Sequence, residues 1–391
     1  MSTIFSSSLV DTAEHHPMLR DSVAKLAGRF GRRYFQDVYK RRAKPDELWQ
    51  ALGEAGFLGV HVAEQYGGGG SGLADYNVIV EEVAAQGCPI LSLVINSICS
   101  PIIEQHGSAA LKQQWLPGLA KGSRRLSFAI TEPNAGTNTH KVTTTARREG
   151  TDWVINGNKY WTSGLDEADA VMVVCRTDQT DAKGRHKLSL FIVPADHPGI
   201  SRSPIETALH VPETSFTVFF DSVRVGPEAL VGQEGEGLRQ LFAGLNPERV
   251  CAAAINNGIA RYAIERGSLQ ARERSVWGVP IGSHQGLAHP LAKSYVAVQQ
   301  ARLMTARAAA LFDAGSADAG EAANMAKFAA ADASLEALDQ AIQIHGGNGM
   351  ALEYGLADLW FIARLHKTAP VSREMILNFV SQHSLGLPKS Y

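Results

Sequence analysis

The hydrophobic period of this chain changes twice along its length, and that order limits the folds open to it. From about residue 15 to 125, apolar residues recur at helical spacing. Leu48, Leu52 and Phe57 fall near one face of a segment beginning at Asp46, and Tyr76 to Ala85 repeats the pattern. Gly67 to Gly72 separates the two as a turn and connector. From about 126 to 232 the period is two. The segments 141–147, 153–156, 170–175, 188–193 and 215–220 are rich in Val, Thr and aromatics, with Gly, Pro and Asp between them. Asn156-Gly157 reads as a tight hairpin turn. Beyond about 236 the helical period returns, in long Ala-rich stretches at 250–274, 291–312 and 319–344. Helices, then strands, then helices is not βαβ alternation, which disfavours a doubly wound dinucleotide fold. The expectation is an α+β chain. It has an N-terminal helical domain (1–125), a middle antiparallel barrel or sandwich (126–235) and a C-terminal helical bundle (236–391).

A length of 391 residues fits two or three domains. The 37 basic and 39 acidic side chains leave a net charge of −2, which argues against a nucleic-acid binder. No uninterrupted apolar run approaches about 18 residues, so no membrane span is expected. Residues 1–10 lack the basic start and apolar run of a secretory leader. Cys88, Cys99, Cys175 and Cys251 have neither zinc-knuckle nor CxxC spacing. They read as buried thiols in a reducing cytosol, with no metal site and a cytoplasmic location. The 37 glycines would weaken helices unless concentrated in turns and ligand loops.

Two segments carry chemistry. In Phe128-Ala-Ile-Thr-Glu-Pro-Asn-Ala-Gly-Thr137, extended residues run into Glu132-Pro133, where the residue before Pro is kept out of the α region. Small residues then allow successive backbone N–H groups to form an anion-binding nest, with the Thr131 and Thr137 hydroxyls beside it. An ordinary strand–turn–strand is the plainer reading. In Gly157-Asn-Lys-Tyr-Trp-Thr-Ser-Gly164, an aromatic followed by two hydroxyls suits covering a flat cofactor and bonding its edge. A core tryptophan is the plainer reading there.

Together these segments resemble the signatures of the acyl-CoA dehydrogenase family, a Thr-Glu-Pro-x-Ala-Gly-Ser loop and a Lys-x-Trp-Ile-Thr-Asn strand. The resemblance covers the whole chain. It implies FAD lying between a β-barrel domain, a C-terminal four-helix bundle and a neighbouring subunit. It places Phe128, Ile130 and Thr131 along the flavin, and Gly136 and Thr137 at the pyrophosphate and substrate. Trp161 would pack on the isoalloxazine, and Ser163 stands where the family usually has the Thr that reaches flavin N5. Arg272-Glu-Arg-Ser-Val-Trp-Gly278 resembles the family's Glu-Arg-x-x-Phe-Gly turn. Arg274 would then reach another subunit's FAD pyrophosphate with a bidentate fork, with Trp277 at the Phe position and Gln285 following. Gln343, Gly346 and Gly347 match the segment that reaches a partner's adenosine; by themselves they read as a helix stop. Ser372 and Glu374 complete the implied cofactor contacts.

The family's reaction needs a carboxylate that removes an acyl-CoA α-proton while hydride passes to the flavin, giving a trans-2-enoyl-CoA. Ungapped alignment from Gln343 to Tyr354 brings the family's late Tyr-Glu-Gly-Thr stretch onto Ala369-Pro370-Val371-Ser372. Pro370 has no acid–base group. Isovaleryl- and long-chain members place the Glu earlier, within Asp-Leu-Glu-Arg, and Glu248 of Asn246-Pro-Glu-Arg249 matches it. Locally, Asn246 reads as a helix cap, Pro247 as the first helical residue and Glu248 as first-turn, where the helix dipole favours it for structural reasons alone. That position lowers a carboxylate pKa, while burial raises it. Pro370 also lacks the N–H that the family aims at the thioester carbonyl, and losing one such donor costs roughly 3–4 kcal/mol elsewhere. Substrate contacts are implied at Thr137, Arg249, Ala369 and Pro370. Ala369, in place of the usual Tyr, leaves room for branched, cyclic or bulky acyl groups. The resemblance further implies an electron-transferring flavoprotein as acceptor and a homotetramer. The alternatives are a non-catalytic partner subunit, or another flavin oxidase or reductase on the same fold.

Overall fold

The structure is a computed structural model and describes residues 17–389, so the leader reading of residues 1–10 lies outside it. Six helices come first: α1 (Pro17–Gly28), α2 (Gly31–Lys40), α3 (Asp46–Glu54), α4 (Leu73–Ala85), α5 (Ser92–His106) and α6 (Ala109–Lys121). In α3, Asp46 and Glu47 complement the positive end of the helix, and Leu48 and Leu52 bury its inner face. Gly56 then turns left-handed at φ 78°, so Phe57 falls in a separate short 3-10 turn.

Eight strands follow: β1 (Leu126–Ala129), β2 (Thr145–Glu149), β3 (Asp152–Ser163), β4 (Ala170–Thr180), β5 (His186–Pro194), β6 (Ile200–Pro204), β7 (Ser215–Val225) and β8 (Leu230–Val231). They form one sheet in the order β6-β7-β3-β2-β4-β5-β8, with β1 joined to β4. The β1–β4 and β2–β4 pairings are parallel and the rest antiparallel. Edge strands β6 and β8 do not pair with each other among the described residues, so no closed barrel is seen. Both faces of its centre are covered. Val171, Val173 and Cys175 join Phe191 and Phe216 on one side, while Met172 and Val174 meet Ile98 and Leu116 from the helices on the other. That is why 170–175 reads as an unbroken apolar run.

Asn156-Gly157 is not a hairpin turn. It lies inside β3, and the β2–β3 turn is Gly150-Thr151, between the paired Glu149 and Asp152. Gly157 takes φ 146° at a bulge, and a Cβ there would strike the Thr144 backbone. The strand expected at 141–147 begins only at Thr145. The N–H groups of Thr143 and Thr144 turn aside to the Glu132 carboxylate, at 2.7 and 2.9 Å.

Helices return with α7 (Gly237–Glu273), whose 37 residues span about 55 Å. A small hairpin, β9 (Ser275–Val276) and β10 (Val279–Pro280), leads to α8 (Gln285–Asp313), then α9 (Ala319–His345), α10 (Trp360–Leu365) and α11 (Arg373–Phe379). Only three of these C-terminal helices are long. From the N-terminal region, α4 packs on both α7 and α8 and α5 on α7, so the two helical regions share one packed core. Charge knits the same contact. Arg20, Arg261 and Arg302, from three helices, converge on Glu81 and Glu82 of α4 at 2.5–2.8 Å. All four cysteines are buried free thiols, as read from their spacing. No described helix is long and apolar enough to cross a membrane.

Candidate active site

Lys159 and Glu132 join the two sequence motifs. The Lys159 ammonium, fully buried, donates to Glu132 at 2.9 Å and to the Ile130 carbonyl at 3.0 Å. Burial alone would raise the Glu132 pKa. Lys159 and the donors of Thr143 and Thr144 overcome that and hold it down to about 2. The Tyr160 N–H donates to the Thr131 carbonyl at 2.8 Å, so the 128–137 segment lies along the 157–164 segment.

That pairing displays the expected cofactor residues together. Phe128, Ile130 and Thr131 are half-buried along one line, and Gly136 and Thr137 are exposed at the bend beyond them. Two mutual backbone bonds close Glu132 onto Ala135, while the N–H groups of Gly136 and Thr137 donate to no described residue. Trp161 sits at φ 62°, a left-handed conformation costly for a bulky side chain, and is 47% exposed. Ser163 is half-buried, its hydroxyl 2.9 Å from that of Ser215.

Glu248 is not at a helix N-terminus. Helix α7 begins at Gly237, so Asn246, Pro247 and Glu248 are interior, and Asn246 accepts from the Arg249 guanidinium at 2.9 Å instead of capping. Tertiary packing overrides the poor local propensity there. Gly244 lies so close to the Ile98 backbone of α5 that a Cβ would clash, and Leu241 is fully buried. The competition over Glu248 therefore goes to burial, which pushes its carboxyl up to about 7 against the pull of Arg249 and Lys327. Its carboxylate makes no hydrogen bond among the described residues.

Helix α5 lies against both the Glu248 region of α7 and the strand that leads into the first motif. Cys99 lies 4.0 Å from the Ser127 carbonyl of β1, and burial and the nearby Glu248 both raise its pKa. Phe128, Ile130 and Leu245 pack on the same core cluster. Opposite, the loop carrying Ala369, Pro370 and Val371 is tied to α9, where Lys327 donates to the Val371 carbonyl at 2.5 Å. Ala369, Pro370 and Arg249 are half-buried. Ser372 caps α11 by accepting from the Met375 N–H, and Glu374 is exposed in its first turn.

The other expected residues lie elsewhere. Arg274, Trp277, Gln285, Gln343, Gly346 and Gly347 are all exposed at the end of the bundle where α7 and α9 finish and α8 begins. Along α7, Arg274 is roughly 39 Å from Glu248. Trp277 forms the tip of the β9–β10 hairpin at φ 54° and is 88% exposed.

Three family models match in order: "Acyl-CoA dehydrogenase, N-terminal domain" over 13–123, the middle domain over 127–223 and the C-terminal domain over 235–385. The chain belongs to the acyl-CoA dehydrogenase family. It is 50% identical over 381 residues to acyl-CoA dehydrogenase FadE12 of Mycobacterium tuberculosis, covering 97% of this chain and 98% of the relative. It is 32% identical over 351 residues to glutaryl-CoA dehydrogenase of Desulfococcus multivorans, covering 88% and 90%. Among solved structures, butyryl-CoA dehydrogenase from Megasphaera elsdenii superposes with a TM-score of 0.87 at 26% identity, covering 94% of this chain and 98% of the other. As an acyl-CoA dehydrogenase, the chain is a flavoprotein oxidoreductase.

Sequence reading missed two groups in this acyl-CoA dehydrogenase site. Lys327 is fully buried on α9, between Ala323, Ala330 and Ala331 of the same apolar stripe. A lysine interrupting such a stripe was the available signal. His366 is buried beside it, and burial first, then Lys327, push its imidazole down to about 3. No spacing in the sequence marks His366.

Proposed function

We propose that this enzyme oxidises an acyl-CoA thioester to the trans-2-enoyl-CoA, with Glu248 removing the α-proton. The observation that carries this reading is the Glu248 carboxyl itself. It is recessed, free of hydrogen bonds among the described residues, and poised at about 7, where a general base works best at neutral pH.

FAD is the cofactor, and when bound it supplies the hydride acceptor. The residues present fit it. The free N–H groups of Gly136 and Thr137, with open space at Gly136, suit a pyrophosphate. Trp161, held out at a strained φ, offers a ring face to a flat heterocycle. Phe128, Ile130, Thr131 and Ser163 would line its length. Arg249, Ala369 and Pro370 border the acyl end, and Thr137 reaches substrate from the other side.

Arg274, Trp277, Gln285, Gln343, Gly346 and Gly347 stand too far from Glu248 along the bundle to share its site. Their common exposure supports a homotetramer in which they complete a partner's FAD site, while Ser372 and Glu374 would contact the cofactor nearer the loop. The domain division is 1–125, 126–235 and 236–391. Electrons leave to an electron-transferring flavoprotein. Ala369, in place of the family's usual Tyr, favours branched, cyclic or bulky acyl groups.

The test is a panel of acyl-CoAs added to the holoenzyme under nitrogen. Bleaching of the flavin band is expected in the wild type, and none in Glu248→Gln with FAD still bound. Full reduction of that variant removes Glu248 from the reaction.

A further inference from the structure

The segment 366–373 contributes Pro370 to the acyl end, and α9 grips it at several points. Lys327 donates to the Val371 carbonyl at 2.5 Å. Asp332, five residues on along the helix, takes Lys367 at 2.7 Å and Arg373 at 3.1 Å. The Arg373 guanidinium lies 4.8 Å over the Phe328 ring. The Arg373 N–H closes the segment on itself through the Lys367 carbonyl.

Lys327 is the grip with a second neighbour. Its side chain is fully buried, and burying an ammonium is costly unless something uses the charge. An ammonium has three donors, and Val371 takes one. The charges around it come from every packed element. Helix α7 brings Glu248 and Arg249, α9 itself brings Asp332, and the C-terminal segment brings His366, Lys367, Arg373 and Glu374. Of the nearby acids, Glu374 is exposed to solvent and Asp332 is engaged by Lys367 and Arg373. Glu248 has no hydrogen-bonded partner among the described residues, so Lys327 and Arg249 are the cations that its ionised form feels.

We propose that Lys327 is a positioning residue for the dehydrogenation. It fixes the Ala369–Val371 backbone at the acyl end, and its charge favours the ionised form of the Glu248 base. This rests on the acyl-CoA dehydrogenase reading above. It also bears on Pro370. With no N–H at that position, placement of the rest of the loop matters more.

The experiment uses the FAD-loaded enzyme and two variants. Lys327→Met removes both charge and donor, and Lys327→Gln keeps a donor without charge. Flavin reduction under nitrogen is followed against pH, and backbone hydrogen exchange of 366–373 is followed in the same proteins without substrate. In Lys327→Met, exchange across 366–373 speeds up and reduction slows on the order of tenfold, the scale of a small misplacement. In both variants the acid limb of the reduction profile moves alkaline by about one unit, because a carboxylate that loses a cation ionises at higher pH. In Lys327→Gln, exchange stays near wild type. Where Lys327→Met does not fold, the acid limb of Lys327→Gln decides. A wild-type limb in the soluble variants overturns the electrostatic role. Wild-type exchange in Lys327→Met overturns the grip on the loop. A wild type that no acyl-CoA reduces refutes the enzyme reading instead, a separate outcome.

Discussion

The ammonium of Lys159 sits 2.9 Å from the carboxylate of Glu132, both buried, and this one ion pair binds the Thr-Glu-Pro loop to the Lys-x-Trp strand. The two motifs are therefore one structural unit. Both charged residues are buried. With the Tyr160-to-Thr131 backbone bond, they hold in register their neighbours Thr131 and Trp161, the residues proposed to meet the flavin.

Removing one partner strands a buried charge. Lys159→Met is expected to cost about 3–5 kcal/mol, and adding Glu132→Gln to recover much of it. Urea unfolding of the apoprotein measures both. Acid weakens the wild-type pair in a defined window. The Glu132 carboxyl is held at about 2 against an ordinary 4.5, so its stabilisation is full above pH 4.5 and is lost as pH falls through about 2. The double variant loses this acid dependence.

Glu248 has the opposite sign. Burial lifts it to about 7 from 4.5, so the folded protein prefers the protonated acid. That preference contributes stability in full below pH 4.5, and it is lost as pH rises through about 7. Gln mimics the protonated acid at every pH. Glu248→Gln should therefore match the wild type near pH 4 and exceed it by about 1–3 kcal/mol near pH 8.5. Paired urea titrations at the two pH values check this, and equal stability at both would show that Glu248 is not poised by burial.

Much of this site was legible because its residues are local. Phe128 to Thr137 and Lys159 to Ser163 each form one continuous segment, so their residue order carries their geometry. Glu248 was also singled out, but with the wrong surroundings. Asn246-Pro247 has the composition of a helix start, and only the contacts of Gly244 with α5 and of Leu241 with the core reveal that the helix is already under way. The Asn156-Gly157 misreading has the same source. A glycine needed for close approach to Thr144 looks, in sequence, like a glycine needed for a turn. Lys327 left only its break in an apolar stripe as a trace, and His366 none, because their surroundings depend on Val371 and on each other across long sequence separations.

Trp161 carries backbone strain at a position argued to face the flavin. A left-handed tryptophan costs about 1–3 kcal/mol, which glycine would not incur. Trp161→Gly is expected to leave the unfolding midpoint of the apoprotein unchanged or raised while FAD is retained less tightly. Calorimetry of the apoprotein and flavin content after gel filtration separate the two effects. A lower apoprotein midpoint would place Trp161 in the core packing rather than at the cofactor.

The distance between Glu248 and Arg274 makes the subunit question testable by complementation. Arg274 is exposed, so Arg274→Ala should leave the subunit's own unfolding unchanged while weakening FAD retention. Glu248→Gln keeps FAD and loses reduction by acyl-CoA. If each site takes its base from one chain and its phosphate-binding arginine from another, a mixed assembly of the two variants contains a repaired site and a doubly defective one. Co-expression with two affinity tags isolates that assembly. Its flavin should bleach in part with acyl-CoA under nitrogen, although neither parent restores the reaction alone. If both residues served the same chain's cofactor, every site in the mixture would carry one defect and no activity would return.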